Sequence, residues 1–316
     1  MAQKIATRDA YGEALVELGR ERRDVVVLDA DLSKSTKTAS FAKIFPERFF
    51  NMGIAEANLM GTAAGLAAAG KTPFVSTFAV FATGRAFDQV RNSIAYPHLN
   101  VKICATHAGI TVGEDGASHQ SIEDIALMRS LPGMTVIVPA DGPETKQAVR
   151  AAAEYKGPVY IRLGRSGVPV IFDTDYKFTI GRAVVLRQGE DVALLACGIM
   201  VAEALEAARQ LAEKGIRAAV LNVSTIKPLD VEAVVKAARA TGAVVTCEEH
   251  NIIGGLGSAV AEVLGEECPV PLERIGVRDT FGQSGKPAEL LEHYGLTAAH
   301  IVRAAERAVA RKAGRA

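Results

Sequence analysis

The segment from Val101 to Asp141 reads VKICATHAGITVGEDGASHQSIEDIALMRSLPGMTVIVPAD and contains a complete β–α–β unit. The apolar runs VKICATH and MTVIVP predict strands at its two ends. Between them Ser121 predicts the start of a helix, with Asp124 three residues later as a weak capping box. Neither run alternates apolar with polar residues, which is typical of strands buried in a parallel sheet. The segment therefore predicts an α/β fold and leaves its polar loop to be explained.

The same alternation continues on both sides of this unit. Before it, TRDAYGEALVELGRE predicts a helix capped by Thr7, and DVVVLDAD a strand. EANLMGTAAGLAAAG predicts a helix of small residues ending at Gly70, TPFVS a strand, and FAVFATGRAFDQVRNSIAYP a further helix. After the unit, GPETKQAVRAAAEY predicts a helix and PVYIRLG a strand. A second α/β set follows, with strands near AVVLR, VALLAC, RAAVLNV, AVVTCEE and LERIGV.

These patterns predict two consecutive domains with mostly parallel sheets covered by helices on both faces. The first domain spans residues 1–165. Residues 166–182 form a linker, because this stretch contains proline and glycine and has no helical period. The second domain spans residues 183–316.

Composition limits the classes of partner. The 36 basic residues equal the 36 acidic ones, so no basic surface favours nucleic acid or anionic lipid. No apolar run reaches the roughly 18 residues of a membrane helix, and the amino terminus has no apolar signal core. Four cysteines, Cys104, Cys197, Cys247 and Cys268, show no CxxC spacing and favour buried thiols over a metal site. We expect a cytoplasmic protein without nucleic-acid or membrane partners.

Three polar loops follow predicted strands of the first domain: DADLSKST, STFAVF and the histidine loop, His107–Gln120. In parallel sheets, ligands bind outside the carboxyl ends of the strands. His107, Asp115 and His119 can bind hydroxyls or phosphate and can transfer protons. The alternative is a solvated loop with ordinary turn residues.

Two further features allow both a structural and a functional interpretation. Glu56 is predicted to begin a helix, where the helix dipole stabilises a carboxylate. Its spacing favours that interpretation, and the alternative is a carboxyl with a raised pKa in an apolar pocket. Phe78 and Phe81 are three residues apart on one predicted helical face and form either core or a flat wall for an aromatic ligand. IGGLGSAVAEVL does not complete GxGxxG, which favours a tight turn over a dinucleotide site.

Four segments together resemble transketolase: GIAEANLMGTAAGLAAAG, STFAVFATGRAFDQVRNSIA, ATHAGITVGEDGASHQSIEDIALMRSLPGMTVIVPAD and PVYIRLGR. The resemblance covers essentially all 316 residues and corresponds to the C-terminal half of that enzyme. It implies a pyrimidine-binding domain followed by the transketolase C-terminal domain, and a thiamine diphosphate cofactor. Thiamine-diphosphate enzymes bind Mg²⁺ and the diphosphate through a Gly-Asp-Gly segment followed later by an asparagine. This chain contains EDG and ADG but no GDG.

The chain therefore resembles the C-terminal subunit of a split, two-chain transketolase. That resemblance implies an N-terminal partner subunit that holds Mg²⁺, a cofactor shared between the two chains, and an α2β2 assembly. The implied reaction is transfer of a two-carbon ketol unit between phosphorylated sugars.

Residue roles follow from the same resemblance. Glu56 matches the glutamate that contacts the aminopyrimidine and activates the cofactor. Phe78 and Phe81 match aromatics packed on that ring, and Gly84 lies where many members carry a tyrosine. Asp31 matches an acid close to the cofactor.

The substrate residues are implied in the same way. His107, Asp115 and His119 match positions that contact sugar hydroxyls, and the two histidines match those that assist proton transfer. Three further positions, Arg8, Ser35 and Arg165, match the site of the sugar phosphate.

Three alternatives remain. The β subunit of a 2-oxo acid dehydrogenase shares the domain pair and GIAE, but does not need GEDGASHQ or the phosphate-binding positions. A deoxyxylulose phosphate synthase shares the chemistry but normally carries its domains in one chain. A non-catalytic α/β subunit that only binds a partner would not need Glu56 and the histidine-loop residues together.

Overall fold

The computed structural model describes residues 3–173 and 175–314. Residues 1–2 of the first predicted domain, Thr174 of the predicted linker and residues 315–316 of the second predicted domain lie outside the described residues.

The strands of the described residues alternate with helices. They are β1 (Lys4–Ala6), β2 (Val25–Asp29), β3 (Phe49–Asn51), β4 (Thr72–Ser76), β5 (Lys102–Ala105), β6 (Thr135–Ile137), β7 (Val159–Arg162), β8 (Gly167–Pro169), β9 (Val184–Arg187), β10 (Val192–Ala196), β11 (Ala218–Asn222), β12 (Thr225–Lys227), β13 (Val244–Asn251) and β14 (Leu272–Val277).

The α-helices are α1 (Thr7–Glu21), α2 (Ser33–Thr36), α3 (Ala39–Ile44), α4 (Glu56–Ala68), α5 (Phe87–Gln89), α6 (Asp124–Ser130), α7 (Gly142–Glu154), α8 (Met200–Glu213), α9 (Val231–Thr241), α10 (Leu256–Glu267), α11 (Pro287–His293) and α12 (Ala298–Lys312). Short 3-10 turns cover Pro46–Arg48 and Ile110–Val112, and π-helical turns cover Phe81–Arg85 and Val90–Ala95.

Two sheets built mainly from parallel strands confirm the predicted fold class. The described strands of the first sheet have the order β12-β6-β7-β5-β4-β2-β3, and those of the second β14-β13-β10-β11-β9. Strand β12 is antiparallel to β6 and β9 is antiparallel to β11. Although β12 follows β11 of the second domain, it completes the edge of the first sheet, so the two domains share a sheet.

Helices cover both faces of the first sheet. On one face α1 and α7 bury Tyr11, Leu15 and Val149 with Phe74 of β4. On the other face α4 and the π-helical turns pack on the sheet through a separate apolar cluster. The second domain has its own core between α8, α12 and its sheet. Because β2, β4 and β5 run parallel, their carboxyl ends lie at the same edge of the first sheet.

Two predicted helix caps are wrong. Thr7 is the first residue of α1 rather than its cap, and its hydroxyl accepts a hydrogen bond from the Gly164 amide at 2.8 Å. Helix α6 begins at Asp124, so Ser121 lies too early to cap it. Asp124 instead accepts hydrogen bonds from Tyr160 Oη at 2.7 Å and Arg162 Nε at 2.8 Å. Long-range partners thus override the local capping signals.

Other local predictions also need correction. The helix predicted from Phe78 begins at Ala79 and consists mostly of π-helical turns, which the sequence pattern did not indicate. Residues 167–169 of the predicted linker form β8, which pairs with β1. Phe172 and Phe178 of the same stretch are buried against the domain cores.

Three of the four cysteines follow the sequence-based expectation of burial, and Cys268 is half-buried. Cys104, Cys197 and Cys247 are buried, and burial raises the pKa of the Cys104 thiol to about 12. No group of three or more His, Cys, Asp or Glu residues that could hold a metal ion is found in residues 3–173 and 175–314. Within the same ranges, no helix has the length and apolar character needed to cross a membrane.

Candidate active site

The loop after β2 is fixed by a buried carboxylate. Asp29 accepts hydrogen bonds from the Leu32 amide at 2.6 Å and from the hydroxyls of Thr36 and Thr38 at 2.6 and 2.9 Å. Burial raises the pKa of this carboxyl. Asp31 follows with a positive φ of 61° and is held at the rim by the side-chain amide of Asn51, 3.1 Å from its Oδ1. The sequence patterns had not singled out Asp29.

Glu56 is the first residue of α4 and is only 3% exposed. Arg85 Nη1 donates to both of its carboxylate oxygens, at 3.0 and 3.1 Å. The interpretation of Glu56 as a carboxyl in an apolar pocket is therefore wrong in one respect, since the buried carboxylate faces a cation. That cation is 52% exposed, so its side chain can move without opening the core.

Aromatic rings form a continuous wall beside Glu56. The rings of Phe78 and Phe81 stack with centroids 5.9 Å apart and an interplanar angle of 14°. The other side of Phe78 lies against His107, with centroids 3.8 Å apart. His119 presents its edge to Phe81 at 5.5 Å. Phe78 precedes the helical turn, so the two phenylalanines meet through a turn rather than a shared helix face.

A cavity of about 410 Å³ opens on this wall. Its lining is Ala30, Asp31, Leu32, Ile54, Glu56, Phe81, Arg85, Ser118 and His119. The Arg85 guanidinium lies 4.4 Å from the Phe81 ring centroid and occupies the place where a flat ligand would contact that ring. Phe81 therefore serves as a wall of the cavity, while Phe78 is buried behind it.

His107 has a defined tautomer because its neighbours leave no choice. Arg8 Nη1 can only donate, so His107 Nε2, 3.1 Å away, accepts that hydrogen bond. Nδ1 then carries the proton and donates to Thr106 Oγ1 at 2.9 Å. Burial, together with the Arg8 charge, lowers the pKa of His107 to about 3. The ring is therefore neutral at neutral pH.

Arg8 is the half-buried cation of the site. Its Nη1 also donates to the backbone carbonyl of Ser35 at 3.2 Å, which brings the first and third loops together. Its Nε is buried and has no hydrogen-bond partner among the described residues. Burial lowers the pKa of Arg8, and the nearby charge of Arg165 lowers it further. A buried donor and two neighbouring guanidinium groups favour an anionic ligand.

Arg165 and Asp115 face each other at the rim. Arg165 Nη1 donates to the Val112 carbonyl at 2.5 Å and lies 3.6 Å from Asp115 Oδ2. Both side chains are well exposed to solvent. His119 is half-buried, and its Nδ1 lies 3.0 Å from Ser118 Oγ. All the residues proposed from the sequence thus lie at one edge of the first sheet.

Sequence reasoning missed Arg85, the direct partner of Glu56. Its spacing of four residues from Phe81 indicates contact with that ring, but no local pattern links it to Glu56, 29 positions earlier. Gly84 beside it is exposed, and a Cβ added there would meet no atom within 4 Å. A side chain would therefore fit at Gly84.

The IGGLG segment is occupied by the chain's own carboxylate. Glu248 accepts hydrogen bonds from the amides of Leu256 and Gly257 at the start of α10, at 2.7 and 2.8 Å. A bound phosphate would need these same amides. A Cβ at Gly255 would overlap the Glu248 carboxyl. The structure therefore agrees with the tight-turn interpretation.

Comparison with known proteins identifies the family. Residues 3–170 match the transketolase pyrimidine-binding domain, and residues 181–301 match the transketolase C-terminal domain. The chain belongs to the transketolase family. A putative transketolase C-terminal section from Methanocaldococcus jannaschii is 54% identical, with 94% of each chain covered.

Further relatives show that this transketolase chain corresponds to a separate C-terminal subunit. A subunit of a 6-deoxy-6-sulfo-D-fructose transketolase from Clostridium sp. is 50% identical, covering 96% of this chain and 95% of its own. A solved structure described as a split-gene transketolase, an inactive beta4 tetramer, is 62% identical. It covers 98% of this chain and 100% of its own, with a TM-score of 0.91.

Proposed function

We propose that this chain is the C-terminal subunit of a thiamine-diphosphate-dependent transketolase that acts with an N-terminal partner subunit. It transfers a two-carbon ketol unit between phosphorylated sugars. The observation that carries this proposal is the unbroken series of contacts along the site. Arg8 contacts His107, which stacks on Phe78, and Phe78 in turn stacks on Phe81. Arg85 joins Phe81 to the Glu56 carboxylate. A cation for the sugar's anionic group and a carboxylate for the cofactor thus share one wall.

The residues around the cavity fit an aminopyrimidine ring. Phe81 offers a flat apolar face, and Glu56 offers a buried carboxylate whose partner is the exposed Arg85. When bound, thiamine diphosphate supplies the carbon nucleophile that accepts the ketol unit. Glu56 would hold a proton shared with a ring nitrogen, and Arg85 would leave the face of Phe81. Mg²⁺ and the diphosphate are assigned to the partner, because the sequence lacks the Gly-Asp-Gly segment.

The remaining residues would orient the sugar. His107 is neutral near pH 7, so it cannot donate a proton as an imidazolium. It would act through hydrogen bonds of its neutral ring, or by exchanging its present hydrogen-bond partners for the sugar. His119 lines the cavity and His107 does not, so His119 is the better placed of the two histidines to move a proton. Asp115 at the rim would accept hydrogen bonds from sugar hydroxyls.

A substrate panel tests the proposed function. The chain and its partner are mixed with thiamine diphosphate and Mg²⁺ and supplied with phosphorylated, sulfonated and uncharged ketoses and with a 2-oxo acid. We expect transfer of a two-carbon unit from a phosphorylated ketose to an aldose acceptor. The sulfonated ketose is included because one relative's name gives a sulfosugar. Decarboxylation of the 2-oxo acid without ketol transfer would contradict the proposal.

Assembly is the next expectation. The outer face of α4 carries exposed Gly61 and Gly65, where an added Cβ would meet no atom within 4 Å. Glycine within a helix costs about 1 kcal/mol relative to alanine, so a close-packed partner is the simplest reason for both. We expect light scattering of the active mixture to give the mass of two copies of this chain with two partners. A fully active complex with one copy of each chain would contradict this.

Arg165→Met should have only a modest effect on phosphorylated ketoses. Arg165 is 37% exposed and faces Asp115 and Glu114, so solvent screens its charge. We expect kcat/KM to fall by about fivefold or less, the range of an exposed ion pair. Steady-state kinetics on the assembled complex measures this, and a loss of several hundredfold would make Arg165 the main anion ligand.

A further inference from the structure

The histidine loop is attached to the second domain at several points along its length. Glu249 on β13 accepts a hydrogen bond from the Thr111 amide, with Oε1 2.7 Å from the nitrogen. Ser284 Oγ donates to the Glu114 carbonyl at 2.6 Å. Gln120 Nε2 donates to the Gln283 carbonyl at 2.9 Å. These contacts lie at the beginning, middle and end of the loop that carries the two histidines.

The Glu249 contact depends on a glycine in the loop. Gly109 has a φ of 82°, and a Cβ at this position would overlap the Glu249 carboxyl. The carboxyl therefore fills the space beside the turn that separates His107 from Thr111. A residue with a side chain at position 109 would push the two domains apart here.

Glu249 is itself held from the first domain. It is 4% exposed, and Arg162 of β7 donates from Nη2 to its backbone carbonyl at 2.8 Å. Arg162 Nη1 lies 3.9 Å from the Glu249 carboxylate. Burial raises the pKa of Glu249, and the charge of Arg162 acts in the opposite direction. Glu249 thus connects the second domain with both the first sheet and the histidine loop.

The loop needs such an attachment. Gly109, Gly113 and Gly116 all have positive φ values, and ordering a residue costs about 1–2 kcal/mol. Two residues shortly after β7 hold loop carbonyls, with Ser166 Oγ donating to Thr111 and Arg165 Nη1 to Val112. Those two contacts hold backbone carbonyls, whereas Glu249 holds the backbone N–H of Thr111.

We propose that Glu249 is a positioning residue for ketol transfer: through it, the second domain holds the histidine loop in its working geometry. This inference rests on the proposed function for its catalytic consequence, though not for its structural one. It gives the second domain a role in the reaction, although Glu248 occupies the backbone amides at the start of α10 that a ligand would need. A misplacement of about 1 Å in a catalytic group can reduce the rate by roughly 10²-fold, so one hydrogen bond of this kind matters.

Glu248 provides a matched control. It precedes Glu249 on the same strand, is equally buried, and also accepts backbone hydrogen bonds. The Glu248 oxygens accept from the amides of Leu256 and Gly257, so both hydrogen bonds lie within the second domain. Burial raises the pKa of Glu248 to about 7. Replacing either carboxyl removes similar chemistry, but only one replacement touches the histidine loop.

The experiment compares Glu249→Ala, Glu249→Gln and Glu248→Ala with the unsubstituted protein. Amide hydrogen exchange is measured first on each chain without cofactor. We expect Glu249→Ala to speed exchange in residues 109–120 while the cores keep their protection. Glu248→Ala should speed exchange near residues 252–260 and leave the loop unchanged. Glu249→Gln retains an acceptor oxygen for Thr111 and should restore most of the loop's protection. If the alanine variant does not fold, Glu249→Gln replaces it, and we expect a smaller but measurable increase of exchange in residues 109–120, because a neutral amide oxygen accepts a weaker hydrogen bond than a carboxylate.

Kinetics of the assembled complex then test the catalytic consequence. We expect Glu249→Ala to lower kcat by roughly 10–100-fold with a smaller change in KM, because loop geometry affects the transition state more than sugar binding. Glu248→Ala should keep kcat close to that of the unsubstituted complex. Unchanged exchange in the loop of Glu249→Ala, or of Glu249→Gln where the alanine variant does not fold, would overturn the inference, as would equal kcat losses for Glu249→Ala and Glu248→Ala. An unsubstituted complex without ketol transfer would instead refute the proposed function, whatever the exchange data show.

Discussion

Glu56→Gln is expected to reduce ketol transfer by about 10²–10⁴-fold, the usual contribution of a general acid–base group. Glutamine keeps the shape of the side chain and an oxygen that can accept from Arg85, but it cannot share a proton with a ring nitrogen. The ion pair that is lost has a half-exposed partner. We therefore expect a stability loss of about 1 kcal/mol or less, with folding and assembly retained.

Arg85→Gln is the matched control for this prediction. It breaks the same ion pair from the other side and leaves the Glu56 carboxyl in place. Thermal unfolding, light scattering and turnover are measured for both variants in the assembled complex. We expect a much larger loss of turnover for Glu56→Gln than for Arg85→Gln. Equal losses would show that the ion pair, and not the shared proton, is what activity requires.

Arg8→Met is expected to have the second largest effect, and one that depends on the substrate. The half-buried guanidinium has an unpartnered Nε among the described residues and lies close to Arg165. Truncating one member of a desolvated charge pair costs about 2–5 kcal/mol. We expect kcat/KM for phosphorylated ketoses to fall by roughly 30- to 1,000-fold, the lower part of that range.

Uncharged ketoses separate binding of the anion from damage to the site. Arg8 also donates to His107 and Ser35, so its loss should lower turnover of every substrate to some extent. The additional loss on phosphorylated ketoses measures the contribution of the charge. An equal loss on charged and uncharged ketoses would assign Arg8 to the orientation of His107 alone. The Arg165→Met variant provides the comparison for an exposed arginine of the same site.

The main features of the first sheet follow from local patterns. Strands such as β2, β4 and β7 are buried throughout and mostly apolar, so their positions and parallel arrangement could be predicted from sequence. Short antiparallel strands could not. Strand β12 has three residues and pairs with β6, almost ninety positions earlier, which no local period encodes. The capping signal at Thr7 failed because the distant Gly164 amide donates to its hydroxyl. The one at Ser121 failed because Asp124 accepts from Tyr160 and Arg162 and helix α6 begins only at Asp124.

The site shows the same division. Glu56 and the histidine loop could be recognised because short motifs carry them. Their partners could not, since Arg85 reaches Glu56 over 29 positions and Glu249 reaches Thr111 over 138. The neutrality of His107 likewise depends on burial and on Arg8, which lies 99 positions away. Sequence motifs thus indicated which residues matter, and the fold determines their charge and orientation.

Titration of this chain with its partner subunit tests the central claim most directly. Ketol transfer is measured at saturating thiamine diphosphate and Mg²⁺ while purified partner is added to a fixed amount of this chain. We predict no turnover without partner, a linear rise, and a plateau at one partner per chain, with Glu56→Gln giving a near-zero plateau at the same ratio. Turnover by this chain alone, equal to that of the mixture and free of contaminating partner, would contradict the claim that the active site forms between two subunits.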